Sequence, residues 1–260
     1  MKKKYSIKYF YEGLPAWKRK KDPLLTKMFY RPLSFVFSSI LANMGVSANT
    51  VSYMSVVVAV IGSCLFMTPS YVMHIVGAVL FNIWLIMDCI DGNLARCVRK
   101  QPFGEFADSM SSYILVGTMG APMGIAVYYD GGFLLPTGTF WLIFLGAIAS
   151  SSDSLMRLIY QKYKNTERKM ADMGVLEVGY DLRTDNSQVG SFRIRVENEL
   201  GIGGILPFAI LMGAIFRAID IVVVFCACYY GVSFVISVIM LSRKAIISSR
   251  NNSEKMESVC

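Results

Sequence analysis

The strongest constraint on this chain is a series of apolar runs separated by short polar turns. They fall at about 51–67, 71–96, 103–129, 133–163, 201–216 and 219–241. A helix of about 20 apolar residues crosses the hydrocarbon layer of a bilayer. Inside that layer every backbone polar group needs an internal partner, so a chain with such runs crosses as helices. With 54% of 260 residues hydrophobic and 17% charged, we expect an all-α integral membrane protein with six transmembrane helices.

A basic interfacial segment precedes the first span. Residues 1–31 carry ten Lys and Arg against Glu12 and Asp22, so this stretch holds a charge equal to the whole chain's +8. Tyr5, Tyr9, Phe10, Tyr11 and Trp17 are interleaved with the lysines, a mixture suited to the headgroup region. This placement points to anionic lipid and excludes nucleic acid as a partner. Pro32 suits a first helical turn, and the run 33–46 is short for a span, so it reads as an interfacial helix. We divide the chain into an arm and helix (1–46), a six-helix domain (47–243) with a cytosolic loop at 164–200, and a polar tail (244–260).

Placing the N-terminus in the cytosol puts 25 of 26 basic residues on the inner side, with only Arg217 outside, in agreement with the positive-inside rule. The tail is then cytosolic too. No cleavable signal is visible, because the N-terminus lacks an apolar core. The six cysteines form no C-x-x-C pair and read as free thiols. Asn49 or Thr50 is placed to cap the first span.

The inner ends of the second and third spans carry acids. Asp88 and Asp91 close one apolar run, and Glu105 and Asp108 open the next. Charges at that depth are costly unless paired or metal-bound, so they mark a site. On a helix, Asp88, Asp91, Gly92 and Ala95 share an arc of roughly 100°. Carboxylates at i and i+3 suit a hard cation, and Arg96 lies where it meets phosphate. A buried ion-pair network with Arg96 and Arg99 is the plainer reading of the same residues.

The run Asp88-x-x-Asp91-Gly92-x-x-Ala95-Arg96, seven residues, Gly104-x-x-x-Asp108 resembles the signature of the CDP-alcohol phosphotransferase (CDP-alcohol phosphatidyltransferase) family. That signature is D-x-x-D-G-x-x-A-R, seven or eight residues, G-x-x-x-D-x-x-x-D. Ser47-Ala48-Asn49-Thr50-Val51-Ser52 resembles its T-P-N-x-x-T segment, with Ala48 replacing proline. The resemblance implies displacement at the β-phosphate of a CDP-alcohol by a hydroxyl acceptor, with release of CMP. It implies Mg²⁺ or Mn²⁺ on Asp88, Asp91 and Asp108. It places Asn49, Gly92, Ala95, Arg96 and Gly104 around the CDP moiety. It also implies a homodimer, in phospholipid or lipid-linked glycan synthesis at a bacterial inner membrane.

The departure is Ser112, where the signature has a fourth aspartate, assigned in the family as the base. A hydroxyl is a poor base. Three replacements are open. Asp153 lies four residues before Arg157, which suits an acceptor's phosphate or carboxylate, although the two also make an i,i+4 salt bridge. Glu105 lies one turn before Asp108. Alternatively, transfer proceeds by positioning and charge neutralisation without a strong base. The competing function is a non-catalytic nucleotide- or lipid-binding relative; a cation carrier using the same acids fits less well. His74 reads as structural. Gly201-x-Gly203-Gly204 lacks a following G-K-[ST] and reads as a packing or kink element. Ser191–Val196 alternates like a short strand.

Overall fold

A computed structural model of the chain describes residues 4–175, 196 and 198–252. Short helices α1 (Ile7–Gly13) and α2 (Ala16–Lys21) and a π-turn (Thr26–Tyr30) lead into α3 (Arg31–Asn43). The long helices are α4 (Ala48–Phe66), α5 (Tyr71–Cys97), α6 (Gly104–Asp130), α7 (Trp141–Asp172) and α9 (Ile219–Asn251), with the short α8 (Leu206–Ile215) before the last. Among the described residues there is no strand. The strand-like stretch at 191–196 and Cys260 lie mostly or wholly outside them.

Five helices, α4 to α7 and α9, are long and apolar enough to cross a membrane. The fifth expected span, 201–216, is not among them. Its helix has ten residues, about 15 Å of rise against an apolar layer of about 30 Å. The chain around it nevertheless runs alongside α5. Thr26 donates its hydroxyl to the Gly203 carbonyl at 2.6 Å, Asn82 donates its amide to Pro207 O at 2.8 Å, and Tyr71 donates to Ile215 O at 2.6 Å. Glycine-rich turns at 201–204 thus take one half of this passage and α8 the other. A Cβ on Gly204 would overlap the carbonyl oxygens of Asn198 and Glu199, so glycine permits the turn to close.

Three boundaries differ from expectation for local reasons. The cap of α4 is Ser47, whose Oγ accepts the Thr50 N–H at 3.1 Å, while Asn49 lies inside the helix. The fourth span starts at Trp141 rather than near 133. Asp220, at the start of α9, accepts the N–H groups of Phe133, Leu134 and Leu135 at 2.7–3.1 Å. Those amides are therefore bonded to a carboxylate instead of to a preceding turn. At the other end α9 continues to Asn251, beyond Arg243 and Lys244, where a tail was expected.

Helices approach where both carry glycine. A Cβ on Gly120 of α6 or on Gly146 of α7 would overlap the other's carbonyl oxygen, and Gly62 and Gly77 make the same approach between α4 and α5. In lipid, where apolar burial gives little drive, such contacts supply van der Waals packing. The core between them holds Phe66, Phe81, Trp84, Leu115, Met123 and Leu142.

The N-terminal arm is docked on the C-terminal end of α5. Phe10 is fully buried with Leu14, Phe35 and Leu94. Tyr9 donates its hydroxyl to the Cys97 carbonyl at 2.6 Å, closing the end of α5. Arg31 meets Asp22 through two bonds of 2.8 and 2.9 Å, and donates to Asn93 Oδ1 at 3.2 Å. Asn93 in turn donates to Ser34 and Ser38. Burial alone would push the Asp22 carboxyl up; the Arg31 hydrogen bonds and the Lys18 and Arg31 charges outweigh it and hold it below its usual value. Burial likewise opposes the Arg31 charge, but nearby negative groups, Asp22 among them, leave it raised.

Two tests follow from this packing. Gly146→Val drives a side chain into the α6 backbone and is expected to cost about 1–3 kcal/mol or more, read as a lower melting temperature in detergent. Asp22→Asn strands the buried Arg31 charge, at about 3–5 kcal/mol. Because folding lowers the Asp22 value, its contribution is present at neutral pH and lost as pH falls through that lowered value. The melting-temperature gap between wild type and Asp22→Asn should therefore be full at neutral pH and close in acid. A gap independent of pH would contradict the assignment.

Candidate active site

The acids predicted to act together do meet. Asp88 and Asp91 stand on the last turns of α5, and Asp108 stands on the second turn of α6. One carboxylate oxygen from each lies within 4.8 Å of the others. Asp91 is buried, Asp88 half-buried and Asp108 exposed, so the cluster opens from the bundle to its surface. Ser52 of α4 donates its hydroxyl to Asp91 Oδ2 at 2.6 Å. Sequence reasoning did not give Ser52 a role, although it closes the segment compared with T-P-N-x-x-T. One turn deeper, Ser111 accepts from Trp84 Nε1 at 2.8 Å and pairs with Ser55, filling the space beneath the cluster.

The small residues of the motif have identifiable work. A Cβ on Gly92 would stand 2.6 Å from Arg96 Nη2, so glycine lets the exposed guanidinium lie back along α5. Ala95 is half-buried beside it. Gly104 opens α6, directly after Phe103 in the left-handed region at φ 58°. A Cβ there would sit 3.3 Å from Asn49 Oδ1. Asn49 ties the start of α4 to the α5–α6 connection, its N–H going to Gln101 Oε1 at 3.2 Å and its Nδ2 to Pro102 O at 2.9 Å. Its Oδ1 is buried and has no hydrogen-bond partner among the described residues. An acceptor oxygen left in that state is costly, which suits a position completed by a ligand donor.

Ser112 donates its hydroxyl to the Asp108 carbonyl one turn back, at 3.2 Å. It is thereby bonded to its own helix. Glu105 is exposed on the first turn of α6, where the helix dipole favours a negative charge, and it acts electrostatically on Asp108. Asp153 is buried on α7 and accepts from Arg157 Nε at 2.6 Å. Arg157 also lies over the Tyr113 ring, 5.6 Å from its centroid. Arg157 and Asp88 line one cavity, whereas Asp153 does not reach its wall. The cavity also exposes Lys18, Lys21 and Arg31. No spacing in the sequence announces these three, because they arrive through the docking of the arm.

His74 stands fourteen residues before Asp88, about 21 Å along α5. It is buried between Asp130 and the Thr68 carbonyl and stacks on Phe66, away from the acids. The five cysteines among the described residues are all free.

A family model described as CDP-alcohol phosphatidyltransferase matches residues 40–178. No curated protein matches the chain. The matched stretch runs from the end of α3 through α7, covers more than half the chain, and contains the three clustered acids, Ser52 and Arg157. Membership of that family implies transfer of a phosphoalcohol group from a CDP-alcohol to a hydroxyl acceptor. The convergence of the motif acids at the end of α5 and the start of α6 agrees with that match, and the chain belongs to the CDP-alcohol phosphatidyltransferase family.

Proposed function

We propose that this protein is a metal-dependent CDP-alcohol phosphotransferase of the bacterial inner membrane, acting at the cytosolic face in phospholipid or lipid-linked glycan synthesis, as a homodimer. The observation that carries the reading is the meeting of Asp88, Asp91 and Asp108 from two helices. Three carboxylates offer hard oxygen donors, and this donor set fits Mg²⁺ or Mn²⁺. Bound there, such an ion would neutralise the diphosphate and stabilise the leaving oxygen.

The protein's own residues supply position and charge. Arg96, freed by Gly92 to lie along α5, is assigned to a phosphate of the CDP moiety. Ala95 and Gly104 leave room for that moiety. Asn49 offers it the unpartnered Oδ1, which suits an amino group such as the exocyclic amine of cytosine. Ser52 holds Asp91 in one orientation. Arg157 is assigned to the acceptor. The acceptor oxygen attacks the β-phosphorus, and CMP departs with the bridging oxygen.

The acceptor's proton is assigned to Asp153, with Glu105 as the alternative. Asp153 is joined to Arg157, and Arg157 shares a cavity with Asp88. Glu105 has the more open position, one turn from Asp108. Ser112 is not assigned the role, since its hydrogen is given to the Asp108 carbonyl. The same serine favours the second reading, a non-catalytic relative that binds nucleotide or lipid. Retention of all three clustered acids supports the enzyme, because a site released from catalysis has no need to hold like charges together.

Purified protein in lipid nanodiscs, given CDP-diacylglycerol or soluble CDP-alcohols with hydroxyl acceptors, should release CMP. Chelation should abolish release, and Mg²⁺ or Mn²⁺ should restore it. Asp91→Asn should lower turnover on the order of 100-fold or more, since several kcal/mol of charge stabilisation is lost. CDP binding without metal-dependent CMP release from any donor would establish the non-catalytic relative. Loss of a general base costs about 10²–10⁴-fold. Asp153→Asn should show a fall of that size; near-full turnover in Asp153→Asn with none in Glu105→Gln would move the base to Glu105.

A further inference from the structure

The three clustered acids come from two helices that touch each other much less than each touches α4. The gap between Asp88 and Asp91 on α5 and Asp108 on α6 is therefore set through α4 or by direct side-chain links. Like charges carried by two such helices drive them apart. A direct link lies one turn beneath the cluster. Trp84 stands four residues before Asp88 and seven before Asp91, on the same stripe of α5. Ser111 stands three residues after Asp108 on α6. The indole Nε1–H of Trp84 donates to Ser111 Oγ at 2.8 Å.

The hydrogens in this link can be assigned one by one. Ser55 has a single hydroxyl proton, and it goes to the Ser52 carbonyl at 2.7 Å. The bond between Ser55 and Ser111 is therefore donated by Ser111. Ser52 gives its own proton to Asp91 Oδ2 at 2.6 Å, with the Ala48 carbonyl more distant at 3.3 Å. One directed chain thus runs from Trp84 to Ser111, to Ser55 and to the Ser52 backbone. It joins α5, α6 and α4 and ends at the residue that holds Asp91. All four side chains are at most 3% exposed. An indole N–H and three hydroxyls are costly in such a place unless each is bonded. The chain bonds all of them in one arrangement of the three helices, so sliding or spreading α5 and α6 would leave buried polar groups unpaired.

We propose that Trp84, Ser111 and Ser55 are positioning residues that fix the separation of the α5 and α6 acids before an ion arrives, and that this fixed separation makes the site selective for a small divalent cation. The inference rests on the metal-dependent reading of the site. None of the three is a ligand; each acts through the acids one turn above. Mg²⁺ takes oxygen ligands at about 2.0–2.1 Å in a near-octahedral array, whereas Ca²⁺ accepts about 2.3–2.6 Å and an irregular shell. Helices released from the chain can still close on the larger ion, whose shell tolerates uneven spacing. They lose the smaller ion first, because its ligands must be brought closer against their mutual repulsion.

The test uses the full chain in phosphatidylcholine nanodiscs without nucleotide. Mn²⁺ binding is followed by the electron paramagnetic resonance of the free ion, and Mg²⁺ and Ca²⁺ are titrated as competitors. Asp91→Asn should abolish Mn²⁺ binding, which ties the signal to the cluster. Wild type should bind Mg²⁺ more tightly than Ca²⁺; the reverse order overturns the proposal. Ser111→Ala removes the acceptor of the Trp84 indole and breaks the chain at its centre. It should weaken Mg²⁺ about tenfold, as expected for loss of a residue that orients metal ligands, and Ca²⁺ by no more than about twofold. A side chain that only stabilised the bundle would lower the melting temperature and leave the ratio of the two affinities alone. An unchanged ratio in Ser111→Ala, with Mn²⁺ bound by wild type, overturns the proposal and leaves the metal reading standing. If wild type binds no Mn²⁺ that Asp91→Asn removes, the metal reading fails and the proposal falls with it. Should Ser111→Ala not fold, Ser55→Ala, which leaves the indole its acceptor, carries the test with the same expected narrowing and the same overturning result.

Discussion

The structure depends on holding three carboxylates together at the edge of a membrane. At an effective dielectric of about 20, any two ionised groups this close repel by on the order of 3–4 kcal/mol. The surrounding elements offset this from three directions. Ser52 of α4 gives Asp91 a hydrogen bond from below. Arg96 comes from the next turn of α5. Lys18 on the arm acts electrostatically on both Asp88 and Asp108. None of these is local to the whole cluster, so helix packing, arm docking and site geometry are one problem. The glycine contacts fix how near α4, α5, α6 and α7 come to one another, and hence where the acids end.

The arm shows how that coupling is made. Its aromatic and basic composition describes a segment for the membrane surface, and α1 and α2 do expose Tyr9, Tyr11 and Trp17. Its other face is inserted into the protein. Phe10 and Leu14 reach an apolar cluster on α3 and α5, and the Asp22–Arg31 pair bonds to Asn93, two residues beyond Asp91. A buried ion pair is weak evidence of stability in itself. Here it fixes the register of the arm against the helix that carries Asp88 and Asp91.

Much of this was legible in the sequence, for physical reasons that also mark where legibility ends. Apolar length predicts spanning helices because lipid leaves the backbone no other choice, and α4, α5 and α6 begin and end close to the expected residues. The acids and small residues of α5 share one face because of helical spacing alone. What escaped depends on partners far along the chain. Nothing near Phe133 reveals that Asp220 will take its amide and delay α7. Nothing near 201–216 shows that the passage will divide into glycine turns and a ten-residue helix. Lys18 and Lys21 look like two more charges in a basic run until the arm folds back beside Asp88.

Ser112 takes on a different meaning beside the clustered acids. Read along α6, it stands where the family signature has a fourth acid, and its hydroxyl is bonded to the Asp108 carbonyl. Read across the site, its side chain adds no negative charge one turn from Asp108. A carboxylate there would add a fourth like charge to the cluster. The serine therefore supplies no carboxylate on that turn and spares the cluster a further like charge. On the transferase reading, the proton is left to a group that a cation already accompanies. Asp153, buried on α7 and paired with Arg157 at 2.6 Å, is the group proposed for it.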